Sequence, residues 1–248
     1  MKSEAHAVAL PSDASARSAC PLWKRLLDIA CIILALPLLL PLMLAIALLI
    51  KCVSRGPILF KQVRIGYQGR QFVCFKFRTM HVDAPENNHA DHCKQLIQDQ
   101  KPMTKMDDLG DVRLITGAPF LRATGLDELP QLYNVLRGEM SLVGPRPCTP
   151  YEWETYLPWH KSRFRSLPGL TGWWQVSGKN KTTFDQMIQL DIDYATRRSP
   201  SFDVRILLMT ARVIGVQVRA LLHRKFKFLK KSAPTSMFRE KGKKEDGR

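Results

Sequence analysis

A long apolar run near the N-terminus dominates the hydropathy pattern of this chain. Residues 26–50 read LLDIACIILALPLLLPLMLAIALLI and carry a single charge, Asp28, near their start. As a straight helix these residues would reach about 38 Å, more than the ~30 Å hydrocarbon core of a bilayer. The run therefore predicts a membrane helix, and its simplest form is an ordinary spanning helix.

Two prolines in the middle of the run favour a different topology. Pro37 and Pro41 each lack a backbone N–H and clash with the preceding turn, so we expect a sharp bend there. Such a bend would let the segment enter and leave on one membrane face, as a re-entrant helix. Basic residues flank both ends of the run: Lys24, Arg25, Lys51, Arg55, Lys61 and Arg64. They suit two cytoplasmic ends, although a single span with its N-terminus outside stays open; both leave the rest of the chain in the cytoplasm.

The pattern changes to short β-rich segments after the apolar run. Residues 58–64 and 71–77 flank a turn that contains two glycines, which predicts a β-hairpin. Residues 83–120 are polar and predict a loop with a short helix around 90–99. A small cluster of His89, His92 and Cys93 lies in this loop, but no second ligand pair has the spacing of a zinc site, which favours a solvated loop.

Helical periodicity returns in the second half of the chain. Residues 126–137, LDELPQLYNVLR, have apolar residues at helical spacing, and Gly138 is placed to end the helix. The GPRP sequence at 144–147 predicts an extended, rigid connection. Residues 182–198 predict another helix, because they begin with a T-x-x-Q capping-box pattern.

The last apolar segment, residues 203–222, has a narrow basic stripe. Arg205, Arg212 and Arg219 are seven apart and so share one face of a helix. This pattern suits a helix in the membrane interface, and it equally suits a core helix with an exposed stripe. Next to a membrane, the basic tail from residue 223 would add about 1 kcal/mol of attraction to anionic lipid per basic residue near the surface.

Composition restricts the classes of partner. The 248 residues carry 38 Lys and Arg against 22 Asp and Glu, a net charge of +16, and 45% of the residues are hydrophobic. A folded protein with this basic excess is expected to bind nucleic acid, anionic lipid or phosphorylated substrates. The sequence contains neither a P-loop, GxGxxG, GxSxG or HExxH motif nor a recognisable nucleic-acid-binding module.

Two adjacent carboxylates are the best candidates for chemistry. Asp127 and Glu128 lie at the expected start of a helix, where peptide N–H groups keep a carboxylate ionised. An ionised Asp beside Arg122 can act as a phosphoryl nucleophile, and the neighbouring Glu can hold Mg²⁺. Carboxylates at a helix start are also common caps, and this structural alternative stays open.

Several basic residues lie in turn-rich segments rather than on long polar helix faces: Lys76, Arg78, Arg122 and Arg146. If they converge on the two carboxylates, they would suit a site that binds a diphosphate through Mg²⁺.

Five motifs in order give the chain a family resemblance: KRLLD at 24–28, KFRTM at 76–80, LDELPQLYNVLRGEMSLVGPRP at 126–147, PGLTGWWQVSGKN at 168–180 and DIDYATRRSPSFDVRILLMT at 191–210. Together with the mid-segment Pro41, they resemble the bacterial sugar transferases, the monotopic polyprenol-phosphate phosphoglycosyl transferases. The resemblance runs from Lys24 to about Leu222. DELPQ, SLVGPRP and PGLTG in this order form a highly specific combination.

The resemblance implies a fold that is mostly α with a small β-hairpin (α+β). A re-entrant helix-break-helix, with Lys24, Arg25, Pro37 and Pro41 as its membrane residues, would anchor the chain beside interfacial amphipathic helices. The active site would face the cytoplasm at the bacterial inner membrane. The expected parts are a disordered N-terminal segment, a re-entrant helix, a catalytic domain and a basic tail, at residues 1–21, 22–51, 52–222 and 223–248.

The implied reaction transfers a sugar-1-phosphate from a UDP-sugar to undecaprenyl phosphate, with release of UMP. The resemblance makes Asp127 the nucleophile on the β-phosphate, through a covalent intermediate, and assigns Mg²⁺ to Asp127 and Glu128. It also implies substrate-binding residues, which are Lys76, Arg78, Arg122, Pro145, Arg146 and Gln175. The product would start a glycan such as exopolysaccharide, capsule, O-antigen or glycoprotein sugar.

The implied partners are the UDP-sugar, undecaprenyl phosphate, anionic lipid and possible downstream glycosyltransferases, and no nucleic acid is expected. Two other interpretations stay open: a non-catalytic basic membrane-bound recruitment module, and a lipid-linked phosphotransferase with another acceptor. The intact carboxylate pair with Arg122 and Arg146 favours the sugar transferase.

Overall fold

The long apolar run folds as one helix. The computed structural model describes residues 20–82, 113–178 and 182–232, and in it α1 spans Leu22–Val53. The helix continues through Pro37 and Pro41, so the expected helix-break-helix is a single helix in the structure, and the expected bend at the prolines stays a prediction. The predicted helix at 90–99, the His/Cys cluster beside it, and most of the predicted N-terminal segment lie outside the described residues.

The predicted hairpin is confirmed. Strand β1, Leu59–Ile65, pairs antiparallel with β2, Gln71–Phe77. The register places Ile65 opposite Gln71, next to a turn that needs Gly69 at φ +77°. Among the described residues the two strands form a sheet of their own, so one edge of β2 has no neighbouring strand there.

Two short helices and a tight turn follow. Helix α2 spans Ala118–Thr124, a single 3-10 turn spans Leu126–Glu128, and α3 spans Gln131–Arg137. The helix predicted at 126–137 is therefore split, because Pro130 has no N–H to continue a helical ladder. Gly138 ends α3 in the left-handed conformation, at φ +80°, as predicted.

A second, parallel pair of strands was not predicted. Strand β3, Ser141–Val143, pairs with β4, Gly169–Thr171, so that the GPRP sequence runs against the PGLTG sequence. The approach is so close that a Cβ on Gly169 would lie 2.0 Å from the backbone nitrogen of Gly144. Only glycine fits such contacts, which gives both motifs a packing reason.

Four more α-helices and a 3-10 helix, His160–Arg165, complete the described chain. The α-helices are α4, Pro150–Thr155, α5, Trp173–Ser177, α6, Phe184–Arg197, and α7, Pro200–Ser232. The predicted capping box of α6 is present, with Thr183 and Gln186 bonded reciprocally. Helix α7 extends well past the predicted end at residue 222, into the predicted basic tail; residues 233–248 lie outside the described residues. The described part of the chain is thus mostly helical with two small sheets.

Both halves of α1 pack on the same protein body. Ile32 lies in a core cluster with Val135 and Tyr194, whereas Ile46 and Ile50 lie in another cluster. Between these contacts the helix presents exposed apolar side chains: Ile33, Leu34, Leu36, Leu38, Leu40 and Leu44. Among the described residues, α1 is the one helix long and apolar enough to cross a membrane.

The polar residues at the start of α1 form hydrogen bonds and an ion pair with other elements of the protein. The Lys24 side chain is 1% exposed; it is ion-paired with Asp203 of α7 and donates to the hydroxyl of Tyr194 at 2.9 Å. Asp28 accepts from the Ser141 hydroxyl at 3.0 Å. Arg25 donates to backbone carbonyls at the end of α3. These side chains therefore join α1 to α3, β3 and α7, and Lys24 does not face the solvent.

Candidate active site

The candidate site centres on an ion pair between the hairpin and the turn before α3. Lys76, near the end of β2, places its Nζ 2.9 Å from Oε1 of Glu128. The side chains are 25% and 33% exposed respectively, so the pair is reachable from solvent. The two predicted residues are thus brought together.

Asp127 lies beside Glu128 in the same 3-10 turn and is half-buried. The turn is held by a backbone bond from the Glu128 N–H to the Gly125 carbonyl at 3.0 Å. The N-cap position of α3 is Pro130, so neither carboxylate caps that helix. This geometry leaves the capping alternative for α3 without support.

The predicted basic residues take different positions. Arg122 of α2 is half-buried and approaches the hydroxyl of Thr79, just past β2, at 3.5 Å. Arg78 is buried and donates to the Ser54 hydroxyl at 2.8 Å and the Pro57 carbonyl at 2.6 Å. Arg78 therefore ties the end of α1 to the end of β2, a structural role that the sequence did not indicate; its contact with substrate stays a prediction.

The GPRP loop is held by its own carbonyl groups. The Pro145 carbonyl accepts from the Gly169 N–H at 2.8 Å. The carbonyl of Arg146 accepts from Arg163 at 3.0 Å, and that of Pro147 accepts from Arg64 at 3.3 Å. Pro145 is buried, whereas the side chain of Arg146 is half-exposed. The loop backbone is thereby fixed, and a contact of the Arg146 side chain with substrate stays a prediction.

Beneath the loop lies a buried ionic network that sequence reasoning missed. Arg163 is ion-paired with Asp191 of α6, and both side chains are at most 1% exposed. Burial alone would raise the pKa of Glu152, but the charges of Arg146 and Arg64 and its hydrogen bonds to Thr149 outweigh burial and lower it. The one local signal was the T-x-x-E pattern at 149–152, a capping box in the structure.

A buried thiol shows that the loop and the carboxylate turn lie near one another. Burial raises the pKa of Cys74 above its ordinary value. Four charged side chains also act on this thiol through space: Lys76, Arg64, Glu128 and Arg146. The three cations lower its pKa and the carboxylate raises it. Lys76, Glu128 and Arg146 therefore all lie within electrostatic range of this thiol on β2.

Gln175 lies on α5, next to the crowded glycines. Its Oε1 is buried without a hydrogen-bond partner among the described residues, as is Nε1 of the adjacent Trp174. An unpaired buried acceptor is costly, so Gln175 has capacity for a further donor. Its role as a substrate-binding residue stays a prediction.

The donor set fits a metal that arrives with a diphosphate. In the part of the chain that the structure describes, no cluster of three or more His, Cys, Asp or Glu side chains could hold a metal ion. Asp127 and Glu128 nevertheless supply two adjacent carboxylates. Mg²⁺ is commonly held by only one or two carboxylates together with substrate phosphates and water.

Comparison with known proteins identifies a matching family and several relatives. The family description "Bacterial sugar transferase" matches residues 19–217. A UDP-glucose:undecaprenyl-phosphate glucose-1-phosphate transferase of Xanthomonas campestris is 42% identical over 201 residues, which cover 77% of this chain and 39% of that protein. The undecaprenyl-phosphate galactose phosphotransferase of Salmonella typhimurium is 36% identical, over 77% of this chain and 40% of that protein.

A shorter relative matches over most of its length. The exopolysaccharide production protein ExoY of Sinorhizobium fredii is 38% identical over 75% of this chain and 83% of its own. By contrast, the chain spans only about two fifths of the two phosphotransferases. The family match covers both α1 and the carboxylate turn. The chain therefore belongs to the bacterial sugar transferase family.

Proposed function

We propose that this protein transfers a sugar-1-phosphate from a UDP-sugar to undecaprenyl phosphate and releases UMP. The observation that carries the proposal is the Lys76–Glu128 ion pair beside Asp127, on a body that also packs both halves of an apolar helix. This arrangement offers an anionic nucleophile and a cation to a diphosphate substrate near lipid. The names of the relatives point to the same substrates.

In the first half-reaction, a carboxylate oxygen of Asp127 attacks the β-phosphorus of the UDP-sugar. The bond from that phosphorus to the bridging oxygen breaks, and UMP leaves with the electron pair. The sugar-phosphate stays bonded to Asp127 as an acyl phosphate. Splitting the transfer into two displacements lets a soluble nucleotide and a lipid use one site in turn.

In the second half-reaction, a phosphate oxygen of undecaprenyl phosphate attacks the same phosphorus. Asp127 leaves as a carboxylate, and the product is an undecaprenyl-diphosphate sugar. The sum is UDP-sugar plus undecaprenyl phosphate giving UMP plus the lipid-linked product. No oxidant or further reactant is required.

The surrounding residues serve mainly in positioning and charge stabilisation, which account for most of phosphoryl-transfer catalysis. Lys76 orients Glu128 through their ion pair and brings positive charge to the phosphates. Arg122 and Arg146 supply further cations for phosphate or uridine. Mg²⁺, held by Asp127 and Glu128, would neutralise charge on the diphosphate when bound.

We further propose that α1 is re-entrant. A helix that crossed the bilayer would carry one end about 30 Å away from the body on which the other end packs. Here Lys24, near one end, is buried against Asp203 of α7, and Ile50, near the other end, is buried in a core cluster. The exposed apolar middle, with Pro37 and Pro41, would then dip into the lipid.

Helix α7 supports a location at the membrane surface. Its three arginines, Arg205, Arg212 and Arg219, are exposed, and so are Leu208 and Val216. A surface helix with both apolar and basic exposed side chains suits the interface of an anionic membrane. We place the protein on the cytoplasmic face of a bacterial inner membrane, where it would initiate a glycan that downstream glycosyltransferases extend.

UMP release from a panel of UDP-sugars tests the proposal. Purified protein receives undecaprenyl phosphate and Mg²⁺, and Asp127→Asn is compared with Asp193→Asn, a matched change at an exposed aspartate on α6. We expect lipid-dependent release with one sugar, loss of it in EDTA, and an intact-mass adduct of one sugar-phosphate. The Asp127→Asn variant should lose both release and adduct, whereas Asp193→Asn should keep them.

Each of the other outcomes would contradict a different part of the proposed function. Full turnover by Asp127→Asn would exclude that residue as nucleophile, and undiminished turnover in EDTA would exclude the metal. Silence across the panel, with folded protein, would favour the recruitment module. Release with an acceptor other than undecaprenyl phosphate would identify a different lipid-linked phosphotransferase.

A further inference from the structure

A buried asparagine on α3 completes the open edge of the hairpin. Asn134 is 0% exposed. Its Oδ1 accepts from the backbone N–H of Phe75 at 3.2 Å, and its Nδ2 donates to the backbone carbonyl of Val73 at 2.7 Å. The carboxamide thus bonds β2 in the way that a residue of a third strand would.

The remaining donor of this amide is also used. Nδ2 of Asn134 lies 2.7 Å from a carboxylate oxygen of Glu139, just past the end of α3. The backbone carbonyl of Asn134 accepts from the N–H groups of Glu139 and Met140. Both polar ends of the side chain are satisfied, so it is held in one orientation against β2.

The contact between Asn134 and β2 links the two parts of the candidate site, which are Lys76 on β2 and the carboxylate turn before α3. Lys76 is the residue after Phe75 on β2, and Glu128 is in the turn that leads into α3. Backbone bonds run through the connection, from Leu129 to Leu126, from Leu132 to Leu129 and from Tyr133 to Pro130. The carboxylate turn and Asn134 are therefore parts of one rigid unit, which meets β2 at two places, the Asn134 carboxamide and the Lys76–Glu128 ion pair.

The two contacts differ in strength and exposure. The side chains of the ion pair are about a quarter to a third exposed, so solvent weakens the attraction. Because both side chains are long and flexible, the distance between their charges can vary. The carboxamide contact is buried, short-ranged and made to backbone atoms. A buried hydrogen bond to backbone fixes relative position better than an exposed ion pair does.

We infer that Asn134 is a positioning residue for the transfer reaction, because its carboxamide fixes β2, and with it Lys76, relative to Asp127 and Glu128. This inference rests on the proposed function. It adds that the position of Lys76 relative to Asp127 is set by a side chain that touches neither the substrate nor the reacting atoms.

A double-mutant cycle separates positioning from mere stabilisation. Asn134→Leu keeps the branched shape of the side chain and removes both bonds to β2. A misplacement of about 1 Å at a site of this kind lowers the rate about 100-fold, so we expect a 30- to 100-fold loss of kcat with little change in KM. In a Lys76→Met background the same change should cost less than about threefold, because the geometry it protects is already lost.

Three additional variants keep the test decisive. Ser141→Ala, which removes a buried hydroxyl bond to Asp28 far from β2 along the chain, should lower the melting temperature without coupling to Lys76. Asn134→Ala replaces Asn134→Leu if the latter does not fold, since it removes both bonds to β2 without adding apolar volume. Lys76→Arg replaces Lys76→Met if that background has no measurable single-turnover rate.

A second readout is independent of activity. Hydrogen exchange over residues 71–80 should be faster in Asn134→Leu than in the parent and unchanged in Ser141→Ala, because the Phe75 amide loses its acceptor. An unchanged exchange rate, or equal losses of kcat with and without Lys76, would overturn the inference. Failure of the proposed function appears separately, as absence of UMP release by the unmodified protein.

Discussion

The buried pair between Lys24 and Asp203 gives a quantitative test of how α1 is held. Both side chains are 1% exposed, and the Tyr194 hydroxyl lies 2.8 Å from the second oxygen of Asp203. Lys24→Met removes the ammonium and leaves a buried carboxylate with one neutral donor. Breaking one side of a buried pair costs about 3–5 kcal/mol, whereas removing both charges is often nearly neutral.

The expected loss of unfolding free energy in Lys24→Met should give a large decrease in melting temperature. For a chain of this size, 1 kcal/mol corresponds to about 2–4 °C, so Lys24→Met should lower the melting temperature by about 6–20 °C. The double variant with Asp203→Asn should recover most of this loss, since the amide can still accept from Tyr194. Thermal unfolding in lipid nanodiscs, followed by tryptophan fluorescence, measures both values.

A surface pair supplies the control. Arg197 and Asp193 on α6 form an exposed ion pair at 3.1 Å, and such pairs contribute about 0–1 kcal/mol. Arg197→Met should therefore change the melting temperature by only a few degrees at most. The reasoning fails if Lys24→Met resembles this control, or if adding Asp203→Asn gives no recovery.

Two further predictions concern the GPRP loop and the membrane segment. Arg163→Met leaves the buried Asp191 unpaired and frees the Arg146 carbonyl, so it should destabilise the protein by about 3–5 kcal/mol in thermal unfolding; an unchanged melting temperature would contradict the role of this pair. A re-entrant α1 keeps both flanks in the cytoplasm, so cysteines at positions 5 and 55 should react with a membrane-impermeant maleimide only after lysis. Labelling of position 5 in intact spheroplasts would establish a spanning helix instead.

Local signals explain which elements could be predicted. The hairpin and α6 have complete signatures within a few residues: β-rich runs around a glycine turn, and a capping box before an apolar period. The end of α3 was equally readable, because Gly138 supplies the left-handed residue that ends a helix. Strands β3 and β4 have three residues each, too few to show a period, and they pair only because glycines let the backbones approach.

Contacts between distant residues explain what could not be predicted. Lys24 lies 170 and 179 positions from its partners Tyr194 and Asp203, and no spacing rule connects them. Its charge was interpreted as a membrane flank because lysines before apolar runs usually are. Arg78 was similarly grouped with phosphate-binding residues, although its neighbours Ser54 and Pro57 use its donors. The carboxylates Asp127 and Glu128, by contrast, are adjacent in sequence and could be identified from it. Lys76, the ion-pair partner of Glu128, is one of the predicted substrate-binding residues.

The way α1 is built into the protein has a consequence for modularity. Without this helix, Ile32, Ile46 and Ile50 would leave gaps in two core clusters, and Asp203 and Ser141 would lose their buried partners. The segment therefore could not be exchanged for an unrelated anchor, nor could the remainder be released as a soluble enzyme. On the proposed membrane topology, insertion of α1 into lipid and completion of the fold would accompany one another, so a chain that has not reached the bilayer would also lack a finished site.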